Sequence, residues 1–339
     1  MSFTAIATRA AAAGLALGAT SVRAEDVADF YRGRTLTILV GGTAGASYDL
    51  QGRLIARHMA RHVPGNPSIV VQNMIGAGGL KMVNFLYGQA PRDGAYLGMI
   101  PNTLPALQAV GAPGVAFDAG KLNWIGTINP VTVTMTAWKA TGIRSIADVR
   151  AREVVAAASA RGAITYTIPA MFNALLGPKF RIVTGYEGLS DISLSLERGE
   201  AEVAESSVSN WKLTKPDWIR DGKIVMFVQT EPKSAELPGV PTAEELASND
   251  DDRRVIEIVN SGSKLGFPLA GAPGATPERV AALRAAFAAT MKDEAFLKEA
   301  EASQLDVTPV SGERLAEIVA KVLDAPKRLV DRARPIISP

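Results

Sequence analysis

The stretch TLTILVGGTAGASYDLQGRLIARHM, residues 35–59, holds three kinds of local order in succession. Thr35 to Val40 is a short apolar, β-branched run of the length of one buried strand. It stops at Gly41-Gly42, and apolar residues resume at helical spacing with Leu50, Leu54, Ile55 and Met59. The order is strand, glycine loop, helix. In the loop Gly41-Gly42-Thr43-Ala44-Gly45-Ala46-Ser47-Tyr48-Asp49, free backbone N–H groups and the positive end of a helix dipole face one point, an arrangement that attracts anions. Asp49 is either an N-terminal cap for that helix or a group that orients a ligand.

The same grammar repeats outward. PSIVVQN (67–73) reads as a strand, followed by the loop IGAGGL and the helical KMVNFLYGQA; AYLGMI (95–100) is a third strand ending in Pro101-Asn102-Thr103. After WIGTINP a new strand begins at Val131 to Trp138, and IRSIADV opens a helix from a Ser145 cap. VVAAAS (154–159), the loop ARGAIT and a helix from about Tyr166 to Leu176 precede the strand RIVTGY (181–186), the loop Glu187-Gly188 and a helix from Ser190 to Glu197. KLGFPLAG (264–271) reads as a strand, Thr276-Pro277 starts a helix that runs to Met291, and a last helix is expected from Ser311 to about Val330.

This pattern predicts an α/β protein with functional loops at the carboxyl ends of parallel strands. Residues 25–127 plus 260–339 are read as lobe 1 and residues 128–259 as lobe 2. More than one chain crossing between them would create a cleft that closes by hinge motion.

A chain of 339 residues, 47% hydrophobic and 21% charged, has apolar material for about two domains, which excludes disorder and repeat arrays. Cysteine is absent, which removes thiolate nucleophiles, disulfides and cysteine metal sites. The two histidines, His58 and His62, stand one helical turn apart without the intervening acid of HExxH, and are expected on a solvated basic face. Met1 to Ala24 carries Arg9, an apolar stretch from Ala10 to Val22 and a small-residue end, the order of a secretory signal peptide cleaved after Ala24. Its removal leaves 34 basic against 34 acidic residues, a balance with no footprint for nucleic acid or an anionic membrane. No later apolar run reaches the roughly 18 residues that a membrane span needs.

A nucleotide-binding glycine turn is excluded by spacing, since ILVGGTAGA lacks G-x-G-x-x-G and the second strand ends in Gln72-Asn73 where an acid would be wanted. No G-x-S-x-G elbow exists, and both histidines lie beyond the first loop on one helix. No enzyme, metal or cofactor is expected. The loop Ser159-Ala160-Arg161-Gly162-Ala163 places Arg161 where its planar fork can meet a carboxylate. Tyr186-Glu187-Gly188 and Glu205-Ser206-Ser207 are candidates for the same far wall.

The run DFYRGRTLTILVGGTAGASYDLQGRLIARHMARHVPGNPSIVVQNMIGAGGLKMVNFLY, with APRDGAYLG after it, resembles the substrate-binding receptors of tripartite tricarboxylate transporters, the TctC or Bug family. SLERGEAEV, LPGVPTAEEL and LAGAPGATPERVAALRAAF match later family segments in the same order, so the resemblance covers residues 28–325. It implies a two-domain periplasmic-binding-protein-like fold of type II with a ligand cleft between the lobes. The implied function is periplasmic binding of a small organic carboxylate by a monomer, and its delivery to TctA/TctB-like membrane permease subunits. Partnership with a sensor kinase would use the same fold and site. Carried onto this chain, the ligand-binding positions are Thr43, Ala44, Ser47 and Asp49, then Gly76, Ala77 and Gly78, with Ser159, Arg161, Gly162, Ala163, Tyr186, Glu187 and Gly188 opposite. The first loop lacks the family's proline and is longer; Ala160-Arg161-Gly162-Ala163 replaces the usual Gly-x-Gly-Ser, and Gly185-Tyr186-Glu187-Gly188 the usual Pro-Tyr-x-Gly.

Overall fold

A computed structural model describes residues 26–338; the export signal expected over residues 1–24 lies outside the described residues. One sheet contains β1 (Thr35–Val40), β2 (Ser68–Asn73), β3 (Tyr96–Met99), β4 (Asn123–Thr127), β10 (Leu269–Gly271) and β11 (Val310–Ser311), in the order β11-β4-β10-β3-β1-β2. The other contains β5 (Val133–Trp138), β6 (Glu153–Ala157), β7 (Lys179–Val183), β8 (Val203–Ser207) and β9 (Ile224–Gln229), in the order β7-β6-β8-β5-β9. β1 pairs in parallel with β2 and β3, and β6 with β7 and β8. The strand ends at Val40, Asn73 and Met99 therefore share one edge, and those at Ala157, Val183 and Ser207 share another. The expected α/β two-lobe architecture is present.

Alternation along β1 sends Leu36, Ile38 and Val40 to an apolar layer with Ile55, Met59 and Phe287, and Leu39 to the opposite layer with Met82, Leu86 and Trp124. With both faces covered, TLTILV reads as a continuous run; each such side chain contributes about 1.5–3 kcal/mol by burial. In the second sheet Val154, Ala156 and Val203 meet Ile168 and Phe172 on one face, while Ala157 and Ala204 meet Leu196, Trp211 and Trp218 on the other.

The structure departs from the sequence reading at several places. β7 ends at Val183, short of Tyr186, because Gly185 turns the chain with φ +114°. Within KLGFPLAG only Leu269–Gly271 is strand, and Ser261–Leu265 is helix. Gly266 separates them at φ +64°, where a Cβ would stand 2.0 Å from the Asn129 carbonyl oxygen. The single helix expected from Ser311 is two, Gly312–Leu323 and Lys327–Ile337, broken at Pro326, which cannot continue the backbone ladder. The Lys327–Ile337 helix buries Leu329, Val330, Ala333 and Ile336 in the apolar layer of the second sheet. His58 and His62 are not solvated: His58 is buried with Nε2 2.6 Å from Glu299, and His62 Nε2 lies 2.8 Å from Asp293. His58 ties the Ser47–Met59 helix to the Glu294–Ala302 helix, and His62, in the turn that follows the first, reaches the residue that caps the second.

The two crossings at residues 127–133 and 260–267 run side by side. Val131 N–H donates to the Ser263 carbonyl at 2.8 Å, and Phe267 N–H to Thr127 Oγ1 at 3.1 Å. Among the described residues no helix is long and apolar enough to cross a membrane.

Candidate functional site

At the first edge, β1 passes into the Ser47–Met59 helix through Gly41–Ala46. Asp49, in the first turn, is buried and its carboxylate is fully engaged. It accepts from Gly45 N–H at 2.8 Å, Arg53 Nε–H at 2.9 Å and Asn73 Nδ2–H at 2.9 Å. Hydrogen bonding from Arg53, with help from Gly45 and Asn73, holds its pKa down at about 2. Asp49 thus shapes the loop from within and joins it to the end of β2. Thr43, Ala44 and Ser47 stay exposed above it. Tyr48 accepts a 2.9 Å hydrogen bond from Asn102 N–H and packs edge-on against Phe267, with ring centroids 4.8 Å apart.

The second loop takes four successive residues to positive φ: Gly76 (+151°), Ala77 (+48°), Gly78 (+62°) and Gly79 (+92°). Ala77 and Gly78 are exposed, and Gly79 is buried between its neighbours. A Cβ on Gly41 would lie 2.8 Å from Gly79 Cα, and one on Gly79 would lie 2.4 Å from Pro101 Cγ. The three strand-end loops are therefore stacked, the first two backbone to backbone and the third through the Pro101 ring. Gly79→Ala is expected to cost about 2–4 kcal/mol, from left-handed backbone strain plus overpacking against a rigid ring, and to weaken ligand binding. Urea denaturation checks it; an unchanged midpoint would refute the stacking.

On the second edge, Ser159 N–H donates to Thr165 Oγ1 at 3.0 Å, and Gly185 N–H donates to the Ser159 carbonyl at 3.0 Å. The loops that carry Ser159–Ala163 and Tyr186–Gly188 are thereby joined. Glu187 N–H donates to Asp191 at 3.2 Å, and Tyr186 packs beside the cluster of Trp211 and Trp218. Arg161 is exposed, with its guanidinium 5.5 Å from the Tyr166 ring centroid. Ser207 caps the Val208–Thr214 helix, and Ser206 Oγ accepts from Asn210 Nδ2 at 2.8 Å. Glu205 is buried on the face of β8 that it shares with Val203, and burial pushes its pKa up to about 8.

One feature unites the four predicted loops. The helices that follow them start at Ala46, Gly79, Ala163 and Gly188, none of which caps its helix with a side chain. Helices that start at Asp26, Asn249, Thr276, Asp293 and Ser311 are capped by those side chains, while those that start at Thr103, Lys215, Asn260 and Pro326 also lack a side-chain cap. First-turn N–H groups at the strand-end loops are left for another acceptor.

The two edges face each other. Asn102 and Thr103 share a narrow slot of about 50 Å³ with Gly162, Ile164 and Thr167. A larger cavity of about 260 Å³ runs between the Ser47–Met59 and Val208–Thr214 helices, with Ser47 and Gln51 on one side and Ser207 and Asn210 on the other. The sequence reading did not single out Asn73, Asn102, Gln51, Asn129 or Asn210. Asn102 carries a legible signal, its place after the third strand; the others come together only through long-range packing. Among the described residues no group of three or more acids or histidines is placed to hold a metal.

No family model matches the chain. A UPF0065 protein of Cupriavidus necator, from the gbd 5′ region, is 25% identical over 335 residues, covering 95% of this chain and 94% of the relative. The protein BugT of Bordetella pertussis is 26% identical over 244 residues, covering 69% and 72%. In structure, a TctC solute-binding protein from Polaromonas matches with TM-score 0.69 at 19% identity, over 91% of this chain and 99% of that one. MatC of Rhodopseudomonas palustris, solved with bound malate, matches with TM-score 0.59 at 21% identity, over 88% and 99%. Another R. palustris protein, solved with adipate, matches with TM-score 0.61 at 19% identity, over 88% and 97%. The chain is thus similar along nearly its whole length to a UPF0065 protein, and over about two thirds of it to BugT, and it shares the fold of the TctC and Bug solute-binding proteins.

Proposed function

We propose that the protein is a periplasmic solute receptor that binds a small organic carboxylate between its lobes and delivers it to a tripartite tricarboxylate-type permease. In this reading residues 25–127 with 260–339 form one jaw and 128–259 the other, tied by the paired crossings and by the C-terminal helix. The carrying observation is the four uncapped helix starts at Ala46, Gly79, Ala163 and Gly188, which offer amide donors and positive dipole ends to an anion. Asp49 supports it, because its charge is spent on Gly45, Arg53 and Asn73 rather than turned toward the guest. Malate and adipate in the solved neighbours are guests of the same class.

Each hydrogen bond to a charged carboxylate contributes about 1.5–3 kcal/mol. Three or four such bonds support roughly micromolar affinity after association costs. Closure would bring Thr43, Ala44, Ser47 and the Gly76–Gly78 backbone to one side of the carboxylates, and Ser159, Gly162, Ala163 and Gly188 to the other. No covalent step is needed. Titration calorimetry against mono- and dicarboxylates checks the reading; binding of a sugar or cation with failure of every acid would refute it. Arg161, exposed beside Tyr166 in the loop that carries Gly162, is proposed as the counter-charge. Arg161→Ala is expected to weaken an acid by about 2 kcal/mol, and unchanged affinity would leave Arg161 on the solvated surface.

A further inference from the structure

The cavity between the Ser47–Met59 and Val208–Thr214 helices contains more than the carboxylate reading uses. Gln51 Oε1 and Asn129 Oδ1 are the only buried side-chain nitrogen or oxygen atoms found without a hydrogen-bond partner among the described residues. The side chains are 7% and 9% exposed, and both line this one cavity. A buried acceptor left unpaired is costly, and two in one hollow mark a place where a donor is missing. Leu50 and Leu213, 57% and 59% exposed, are the most exposed large apolar side chains among the described residues, and they stand on opposite walls of the same cavity. The hollow thus sets two exposed leucines among polar groups such as Ser47, Ser207 and Asn210, and the two residues with unpaired amide oxygens lie in its lining. Arg57 at the rim is already paired with Glu299.

We infer that this cavity receives the distal part of the ligand, and that this part is a short apolar chain ending in a hydrogen-bond donor, an ammonium or hydroxyl group. The inference rests on the carboxylate being held at the first loop. Ser47 opens the cavity there, and Gln51 lies four residues further along the same helix face, about 6 Å away at 1.5 Å per residue. The substrate class is therefore an acid whose donor stands roughly one helical turn from its carboxylate. Closure onto such a chain would cover Leu50 and Leu213 while Gln51 and Asn129 accept from its far end. An isosteric acid that lacks the donor would leave both amide oxygens buried and unpaired, which is why a site of this kind discriminates.

The test is calorimetry of the full chain with 5-aminopentanoate and with pentanoate. Pentanoate has the same carbon chain without the donor. The expected result is at least tenfold tighter binding of 5-aminopentanoate, with the preference lost in Gln51→Leu while affinity for pentanoate is kept or improved. Gln51→Leu is also expected to raise the unfolding midpoint of the free protein, since it removes an unpaired buried polar group, and thermal unfolding of the variant checks that it is folded. Asn129→Leu provides a second, independent measurement of the same preference. Equal binding of the two acids, or a preference that survives both variants, would overturn the inference and leave the carboxylate reading standing. Failure of both acids and of a dicarboxylate panel would overturn both.

Discussion

Asp49→Ala is expected to destabilise the protein by about 3 kcal/mol at pH 7 and to weaken ligand binding at least tenfold. Three donors converge on one buried carboxylate, and hydrogen bonds to a charged group contribute about 1.5–3 kcal/mol each, less than additively where they share an acceptor. The variant leaves Gly45 N–H and the Asn73 amide without that partner, so the first loop loses its shape as well as its stability. The pH dependence has a fixed sign. The folded pKa of about 2 lies below the ordinary carboxylate value, so the stabilisation is complete above about pH 5 and is lost as pH falls through about 4 toward 2. Urea unfolding at pH 7 and at pH 3 should therefore separate wild type from Asp49→Ala by about 1 kcal/mol more at pH 7. A constant difference would show that the carboxylate's charge does not matter.

Glu205→Gln runs the opposite way. Burial raises the folded pKa of Glu205 to about 8, so between about pH 4.5 and 8 the folded chain holds a proton that the unfolded chain has released. Stability then falls as pH rises through that window, and the accumulated cost at pH 7 is about 3 kcal/mol, at about 1.4 kcal/mol per pKa unit. Glutamine keeps the size and removes the titration. The variant should match wild type near pH 4 and exceed it by about 3 kcal/mol at pH 7. A gain that is the same at both pH values would mean that ionisation at Glu205 is not its source.

Much of the local structure was legible because its cause is local. TLTILV forms β1, Ser145 and Asp148 form the capping box that opens the Ile146–Ala151 helix, and Thr276-Pro277 starts the Pro277–Thr290 helix. The four loops with uncapped helices were legible too, as glycine-rich joints after apolar runs. What escaped depends on distant partners. His58 reads as surface until Glu299, 241 residues away, is placed against it. Gln51 lies on an amphipathic helix and gives no sign that it will line one cavity with Asn129 of the crossing. Arg53 looks like a solvated cation, and only the fold makes it the clamp that links Asp49 to Asn73. Gly266 and Pro326 carried a signal for the strand and helix breaks that the apolar pattern around them masked.

The position of β10 has a consequence for how the molecule comes into being. Leu269–Gly271 lies between β3 and β4 in the first sheet, yet it follows the whole second sheet along the chain. As a nascent polypeptide grows from its amino end, β3 and β4 exist long before the segment that bridges them, and each presents a bare edge until that segment arrives. The lobe that is begun first is therefore finished last, and a truncated fragment ending before Leu269 would leave β4 without either neighbour and β3 with one bare margin, with a strong tendency to aggregate. Maturation of this protein is a matter of keeping those margins apart until the far end of the sequence can close them.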